Sequence, residues 1–379
     1  MSHTALTWHL FCRVIDNYGD IGVCWRLCRQ LQAVHGQQVV LWVDDLHTFN
    51  AIEPLVDPLL ATQQVQGISV HHWADDFTLS ETPGDVVVET FACDLPEVYI
   101  AAMQTRAPQP VWINLEYLSA EDWVIGCHGA PSPVHGMNKS FFFPGFMPGT
   151  GGLLYDQQLP QLAQTLAQPQ AKRAFLAELG VPGDAADSLL MSLFAYENPA
   201  LAPLLDQLCA AEQPVTLLVP QGRISADVAR WLGAELAAGQ AQQRGVLTIH
   251  ALPFMSQDQY DGLLALCDIN FVRGEESFVR AQMLGKPMLW HIYQQEEDAH
   301  LIKLEAFLTL YLQQAPQELV TPLLNLFRAW NQPGQPMPDL GALLRLLPLW
   351  RSHAAGWQQG LLALGDLASN LVHYARNRV

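Results

Sequence analysis

The sequence predicts an α/β protein made of two doubly wound halves, each a parallel sheet covered by helices. Its 379 residues predict two domains, at about 100–200 residues per domain. Residues 8–44 run in the order strand, glycine-containing loop, helix, strand, which is a βαβ unit and implies a parallel sheet. A second alternating series begins after Gly183. Because ligands of such folds bind at the carboxyl ends of the strands, we expect an active site in an interdomain cleft.

The N-terminal half begins with an apolar run at residues 8–15, long enough for one buried strand. Residues 16–22 contain two glycines and form a turn. Residues 23–35 have helical spacing and end at Gly36. Further strands are expected at residues 38–44, 68–72, 85–89 and 111–115.

The C-terminal half repeats this alternation. Strands are expected at residues 188–195, 214–219, 246–251, 269–272 and 287–292. Helices are expected at residues 199–211, 226–236, 260–266 and 277–284. From residue 297 onward the pattern is almost entirely helical, with a break at residues 331–338.

The domain edge is predicted by composition. Residues 144–152 are rich in glycine and proline, and a connecting helix is expected after them at residues 159–179. We therefore expect an N-terminal domain over residues 1–184 and a C-terminal domain over residues 185–360. The last helix, residues 361–379, is expected to pack back on the first domain.

Charge and cysteine content limit the class of protein. The chain has 19 Lys and Arg against 37 Asp and Glu, a net charge of −18. This acidity argues against nonspecific binding to nucleic acid or to an anionic membrane, and it permits a basic macromolecular partner. The seven cysteines form no C-x-x-C pair, so we expect a reduced, cytoplasmic protein with no disulfide framework.

The first candidate site is the loop at residues 16–22. It matches neither the dinucleotide-binding glycine pattern nor a P-loop. Its two carboxylates, Asp16 and Asp20, could both point into a cleft. Between them, Asn17, Tyr18 and Gly19 lead into a helix whose N-terminus favours an anion. The alternative is that Asp20 caps the helix and Asp16 binds loop amides.

The second candidate site is the strand–turn–helix at residues 270–280. Arg273 has the planar fork that suits a phosphate, and Ser277 is a good N-cap for the helix after Gly274. Glu275 and Glu276 could accept hydrogen bonds from sugar hydroxyls or orient a cationic group. The alternative is a capped helix with a local Arg–Glu ion pair.

Aromatic residues follow several strands of the second half and could stack on a nucleobase. They are Tyr196, Phe254 and Tyr293. Gln257 lies just beyond Phe254 and could bind a base edge or a phosphate. Each aromatic residue alone is more often part of a core or of a rim than a ligand contact.

Three long segments in order carry a resemblance to a known family. They are residues 11–25 (FCRVIDNYGDIGVCW), 113–123 (INLEYLSAEDW) and 270–295 (NFVRGEESFVRAQMLGKPMLWHIYQQ). Together with the glycine-rich residues 143–153, they resemble the EarP family of protein-arginine rhamnosyltransferases, which act on elongation factor P. The similarity runs from end to end of the chain.

The resemblance implies a GT-B glycosyltransferase with two facing Rossmann-like domains. It implies dTDP-β-L-rhamnose as donor, one arginine of elongation factor P as acceptor, inversion at the anomeric carbon, and neither metal nor cofactor. The resemblance implies that the catalytic residues are Asp16, Asp20 and Glu275. It implies that the donor pocket is formed by Arg273, Glu276, Ser277, Tyr196, Phe254 and Gln257. One departure is that the family usually has Asp where Glu276 stands.

With this reaction in view, we expect Asp20 to be the general base, and Arg273, Ser277 and a helix N-terminus to stabilise the leaving diphosphate. Asp16 would orient the acceptor or the rhamnose, and Glu275 would hold donor hydroxyls. Two alternatives stay open: a nucleotide-sugar epimerase of GT-B fold, and a noncatalytic protein that binds elongation factor P.

Overall fold

The computed structural model describes residues 5–15, 18–74 and 76–379, with the backbone alone at Glu296. The described chain forms two compact units. Unit 1 consists of Met1–Asp156 and Leu361–Val379, and unit 2 of Gln157–Gly360.

Unit 1 contains an eight-stranded sheet in the order β3-β4-β2-β1-β5-β6-β8-β7. Its strands are β1 (Thr7–Cys12), β2 (Gln38–Val43), β3 (Thr62–Val65), β4 (Ile68–His72), β5 (Val86–Thr90), β6 (Val111–Leu115), β7 (Pro131–Val134) and β8 (Met137–Phe142). The six inner strands are parallel, and each edge strand is antiparallel to its neighbour. In the central register, Leu10 lies opposite Leu41 on one side and Val88 on the other.

The helices of unit 1 cover a sheet whose central strands are buried on both faces, as expected for parallel strands. They are α1 (Gly19–Ala33), α2 (Leu46–Ile52), α3 (Glu97–Thr105), α4 (Trp123–Cys127) and the last helix of the chain, α15 (Leu367–Arg376). Phe11 of β1 stacks on Trp42 of β2 with ring centroids 5.7 Å apart. Tyr99 of α3 meets the same Phe11 edge-on at 4.7 Å.

Unit 2 contains a six-stranded sheet in the order β11-β12-β10-β9-β13-β14. Its strands are β9 (Leu189–Leu193), β10 (Val215–Pro220), β11 (Ala241–Arg244), β12 (Leu247–Leu252), β13 (Ile269–Arg273) and β14 (Met288–His291). All pairs are parallel except β11 with β12. The repeated strand–helix alternation confirms the predicted α/β class.

Ten α-helices of the described residues belong to unit 2, although the last two residues of α14 are part of unit 1. They are α5 (Leu159–Leu166), α6 (Pro169–Glu178), α7 (Leu201–Cys209), α8 (Ser225–Leu232), α9 (Gln257–Leu266), α10 (Glu276–Met283), α11 (Ala299–Leu312), α12 (Gln317–Asn331), α13 (Leu340–Arg345) and α14 (Leu347–Leu362). Phe278 of α10 stacks on Trp290 of β14 at 4.0 Å. Phe307 of α11 packs edge-on against Phe278 at 4.8 Å, which ties the helical part to the sheet.

The single connecting helix predicted at residues 159–179 is wrong. The structure has two helices there, α5 and α6, separated at Gln168. Gln168 is extended (φ −74°, ψ 129°) because Pro169 follows it, and a residue before proline avoids the helical region. Both helices belong to unit 2, where α5 packs on α9.

The end of the chain lies in unit 1. Helix α15 packs on α1, and Asn370 Nδ2 donates to the Gly151 carbonyl at 3.0 Å. The domain boundaries expected from the sequence, 1–184 and 185–360, stay a prediction. No helix in the described residues is long and apolar enough to cross a membrane.

Candidate functional site

The strand order places a switch point in each sheet. In unit 1 the chain adds β2 and β4 on one side of β1 and then returns to add β5 on the other. In unit 2 it does the same around β9, with β13 on the returning side. Ligands of open α/β sheets bind outside the carboxyl ends of the strands at such points. Both loops singled out in the sequence lie there, one after β1 and one after β13.

In unit 1, the buried carboxylate of Asp20 lies in the first turn of α1, where the helix dipole favours a negative charge. Its Oδ2 accepts from the Ile15 amide at 2.8 Å, and its Oδ1 accepts from the Tyr117 hydroxyl at 3.3 Å. Tyr18 occupies the capping position and Gly19 begins the helix. The alternative that Asp20 caps α1 is therefore wrong, because the capping position belongs to Tyr18.

Two residues predicted for this loop, Asp16 and Asn17, lie outside the described residues. Their predicted roles stay predictions.

A stacked aromatic pair lies beside Asp20. The Phe91 ring, just after β5, is parallel to the Tyr117 ring, just after β6, with centroids 4.3 Å apart and 10° between the planes. Neither residue was singled out in the sequence. Tyr117 is 97 residues from Asp20, and only the pairing of β1, β5 and β6 brings the three side chains together.

In unit 2, Arg273 is the last residue of β13 and is buried. Its guanidinium carbon lies 4.4 Å from the Phe194 ring centroid and 4.8 Å from that of Tyr196. Within the described residues, its Nη1 has no hydrogen-bond partner. A buried cation with an open N–H beside a helix N-terminus is suited to an anion.

The turn after Arg273 depends on a glycine. Gly274 has φ 58°, a left-handed conformation that glycine adopts without a Cβ clash. Its carbonyl accepts from Trp290 Nε1 at 2.7 Å, which ties the turn to β14. The chain therefore enters α10 in a defined direction.

The prediction that Ser277 caps α10 is wrong. Glu275 occupies the capping position, without a side-chain capping bond. Ser277 is buried two residues later, in the first turn of α10, where its hydroxyl accepts from the Arg273 amide at 3.0 Å and donates to the Arg273 carbonyl at 2.6 Å. Its hydroxyl thus closes the strand–helix turn, while Glu275 and Glu276 are half-buried at the helix start.

The other predicted donor-binding residues lie at strand ends of the same sheet. Tyr196 is buried and meets Tyr293 edge-on at 5.6 Å, whereas Tyr293 itself is 43% exposed. Phe254 and Gln257 are half-buried after β12. Gln257 is the first residue of α9, which begins with a capping box made by Ser256 and Gln259.

A histidine that sequence reasoning missed completes this edge. His291 ends β14 directly opposite Arg273 in the register, and its ring meets Tyr196 edge-on at 5.3 Å. Burial, together with the Arg273 charge, lowers the pKa of His291 to about 4. The imidazole is therefore neutral at pH 7 and adds no charge beside Arg273.

Comparison with known proteins identifies the family. The family model described as Elongation-Factor P (EF-P) rhamnosyltransferase EarP matches residues 8–376. A protein-arginine rhamnosyltransferase of Pseudomonas putida is 51% identical over 377 residues, covering 98% of this chain and 99% of the relative. Another, from Pseudomonas aeruginosa, is 49% identical over 373 residues, covering 97% and 98%.

The chain belongs to the EarP family.

A solved structure from this family has the same fold. It is described as the structural basis for EarP-mediated arginine glycosylation of translation elongation factor EF-P. It is 39% identical, covers 99% of this chain and 100% of its own, and superposes with a TM-score of 0.69. A UDP-glucosyltransferase from Polygonum tinctorium, 9% identical over 99% of both chains with a TM-score of 0.53, shows the same fold alone. The chain is a glycosyltransferase with the GT-B fold, as the resemblance implied.

The family residues carried over from the resemblance are now placed in the structure. Asp20 lies at the switch point of unit 1, and Arg273, Gly274, Glu275, Glu276 and Ser277 at that of unit 2. In the part of the chain that the structure describes, no three His, Cys, Asp or Glu side chains are grouped so that they could hold a metal ion. The roles of the individual residues, and independence from metal, stay predictions.

Proposed function

We propose that this enzyme transfers L-rhamnose from dTDP-β-L-rhamnose to one arginine side chain of translation elongation factor P, with inversion at the anomeric carbon. Family membership supports the acceptor, because relatives and a solved family structure are named for arginine rhamnosylation and for EF-P. Since that acceptor is a translation factor, we place the reaction in the cytoplasm.

One observation carries the chemical part of the proposal: the buried Arg273 guanidinium, within 5 Å of two aromatic ring centroids (4.4 and 4.8 Å), keeps an N–H open at the switch point. We assign this N–H to the donor diphosphate. The first turn of α10 lies next to it, and its amides would share the charge that develops as the diphosphate leaves. The Ser277 hydroxyl is bound to the Arg273 backbone, so Ser277 would act by holding this turn.

The nucleotide end of the donor would lie against the aromatic strand ends. Tyr196 supports Arg273 from one side, and the exposed Tyr293 meets Tyr196. Phe254 and Gln257 precede and begin α9, where a ring and an amide could bind the base. Glu275 and Glu276 would accept hydrogen bonds from the hydroxyls of the rhamnose.

The acceptor side needs a base. A guanidinium keeps its proton far above neutral pH, so removing that proton at pH 7 before attack would cost roughly 9 kcal/mol. A carboxylate avoids most of this cost by taking the proton as the C–N bond forms. We assign this role to Asp20, whose carboxylate lies buried at the switch point of unit 1. Asp16 would orient the acceptor or the sugar.

The reaction needs neither metal nor cofactor in this scheme, because Arg273 and the α10 amides supply the positive charge at the leaving group. In this scheme the acceptor nitrogen attacks the anomeric carbon on the face opposite the leaving diphosphate. A single displacement therefore inverts it, as in inverting glycoside chemistry.

The test is the intact mass of elongation factor P after incubation with the enzyme and dTDP-β-L-rhamnose. We expect a gain of one deoxyhexose on a single arginine. Asp20→Asn should abolish the gain and still bind dTDP-β-L-rhamnose in calorimetry. Asp57→Asn, which changes a carboxylate in an exposed turn of the same unit, is the matched control and should behave as the wild type.

Each other outcome has a defined meaning. Conversion of the donor without acceptor would indicate the epimerase alternative. Full transfer by Asp20→Asn would remove Asp20 from the base role. Donor binding without any transfer would leave the noncatalytic alternative.

A further inference from the structure

The carboxylate of Asp20 has a hydrogen-bond donor on each oxygen. The Ile15 amide donates to Oδ2 at 2.8 Å, and the Tyr117 hydroxyl donates to Oδ1 at 3.3 Å. The first bond is backbone and belongs to the loop itself. The second comes from another strand end and is long for a hydroxyl donor. Together the two bonds hold the carboxylate in one orientation.

The residue that stacks on the Tyr117 ring has an unusual backbone conformation. Phe91 stacks on it at 4.3 Å, although Phe91 has φ 56°. Its neighbours Ala92 and Asp94 both have φ 53°. Left-handed backbone costs about 1–2 kcal/mol for a residue that carries a Cβ, and strain of this kind is concentrated at functional sites.

Hydrogen bonds from the sheet hold this strained turn in place. The Phe91 amide donates to the Leu115 carbonyl at 2.7 Å. The Ala92 amide donates to Asn114 Oδ1 at 3.2 Å, and the Asp94 amide donates to Glu89 Oε1 at 3.2 Å. These acceptors lie on β5 and β6, so the sheet fixes the position of the turn.

The turn is also bound to a residue of a buried ion pair. Glu89, which is 1% exposed, lies 3.2 Å from Lys139 Nζ of β8 and accepts from Trp112 Nε1 at 3.2 Å. Removing either charge would leave the other buried and unpaired, which is strongly unfavourable. A continuous chain of contacts thus runs from Glu89 through the turn and Phe91 to Tyr117 and Asp20.

We propose that Tyr117 is a positioning residue for Asp20, and that Phe91 holds the Tyr117 ring in the orientation this requires. The inference rests on the proposed role of Asp20 as the base. The hydroxyl would keep one lone pair of the carboxylate directed at the acceptor nitrogen while the ionised form accepts the proton.

The test compares Tyr117→Phe with the wild type in steady-state rhamnosylation of elongation factor P. We expect kcat to fall about tenfold, the value of one hydrogen bond to a charged group, with the acceptor KM changed by less than about twofold. Because a hydroxyl donor favours the ionised carboxylate, its loss should also move the acid limb of the pH–kcat profile to higher pH. A purely structural role would not move that limb.

The matched control is Tyr374→Phe in the same unit. It also removes a buried tyrosine hydroxyl, one that has no hydrogen-bond partner among the described residues. It should keep wild-type kcat and pH profile, and both variants should keep the wild-type melting temperature.

A second variant tests Phe91. Phe91→Leu keeps an apolar side chain but removes the stacked ring, so kcat should fall by a smaller factor. The double variant Phe91→Leu/Tyr117→Phe should be no slower than Tyr117→Phe, because residues that act through one contact are not additive.

Unchanged kcat and pH profile in Tyr117→Phe would overturn the inference. A loss confined to the acceptor KM would also overturn it, because Tyr117 would then contact the acceptor. A wild type that binds donor but transfers no rhamnose would instead overturn the proposed function, and this inference with it.

Discussion

At the scale of single residues, each unit contains a histidine that burial keeps neutral. His9, at the N-terminal end of β1, is 1% exposed, and its Nδ1 lies 2.8 Å from the Tyr99 hydroxyl. Burial lowers its pKa to about 4, and the charges of His71 and Arg106 act in the same direction, against Asp85. In unit 2, burial likewise lowers the pKa of His291 to about 4. Protonation of either imidazole therefore opposes folding.

We expect His9 to contribute to acid destabilisation. Its unfolded form, with a pKa of about 6.5, binds a proton that the folded form with a pKa of about 4 does not. Stability from this residue is thus full above pH 6.5 and is lost as the pH falls towards 4, by about 2 kcal/mol at pH 5. His9→Gln should lose correspondingly less stability than the wild type in urea unfolding at pH 7.5 and pH 5.

The exposed residue His135 provides the control. His135→Gln should keep the wild-type loss between the two pH values. An equal loss in His9→Gln would contradict the role given to His9.

For single residues, prediction from the sequence succeeded at the ends of predicted strands. The rule that ligands bind at strand ends singled out Asp20 and Arg273, and the structure places both at switch points. It could not find Tyr117 or His291, because neither lies in a loop with a recognisable pattern. Their proximity to Asp20 and Arg273 comes from strand pairing, which spacing along the chain does not report.

At the scale of elements, α9 and α10 are joined by a buried ion pair. Arg280 of α10 donates through Nε to Asp261 Oδ1 at 2.9 Å and through Nη2 to Oδ2 at 2.5 Å. Gln257 begins α9 one turn before Asp261, and Ser277 lies one turn before Arg280. The pair therefore couples the two helices that carry proposed donor-binding residues.

Asp261→Asn should destabilise unit 2 by about 3–5 kcal/mol, because it leaves the Arg280 charge buried without its partner. Urea unfolding followed by tryptophan fluorescence measures this. The control is Asp187→Asn, whose partner Arg173 is 54% exposed; its effect should stay within about 1 kcal/mol. Similar losses in the two variants would show that the buried pair has no special role.

Among the strands, those with a strong hydrophobic pattern were predicted and the more polar ones were not. Both ends of β6, residues 111–115, agree with the predicted strand to the residue. The edge strands β3 (TQQV) and β11 (AQQR) were missed, as were β7 and β8. Their strand conformation comes from pairing with a neighbour, and tertiary context overrides such weak local preference.

At the scale of the whole molecule, the net charge of −18 bears on the proposed reaction. A surface patch that contains an acceptor arginine and meets an acidic enzyme should associate faster when the opposite charges are unscreened. We therefore expect kcat/KM for elongation factor P to fall as NaCl rises from about 50 to 500 mM, since screening shortens the range of the attraction.

The internal control is kcat at saturating acceptor, which does not include the encounter and should stay nearly constant. A kcat/KM that is independent of salt would show that the acidity serves solubility rather than association.

The return of the chain to unit 1 has a consequence for its synthesis. Helix α15 buries Leu367, Leu371 and Val372, and it packs on α1, one of the first elements made. A ribosome delivers Gln157–Gly360 before it delivers Leu361–Val379, so the whole of unit 2 is synthesised while unit 1 still lacks its last helix. Unit 1 therefore cannot complete its fold before unit 2 has been synthesised, although the N-terminal body of a nascent chain usually folds first. Until the α15 segment has been made, the part of α1 that it contacts lacks this cover.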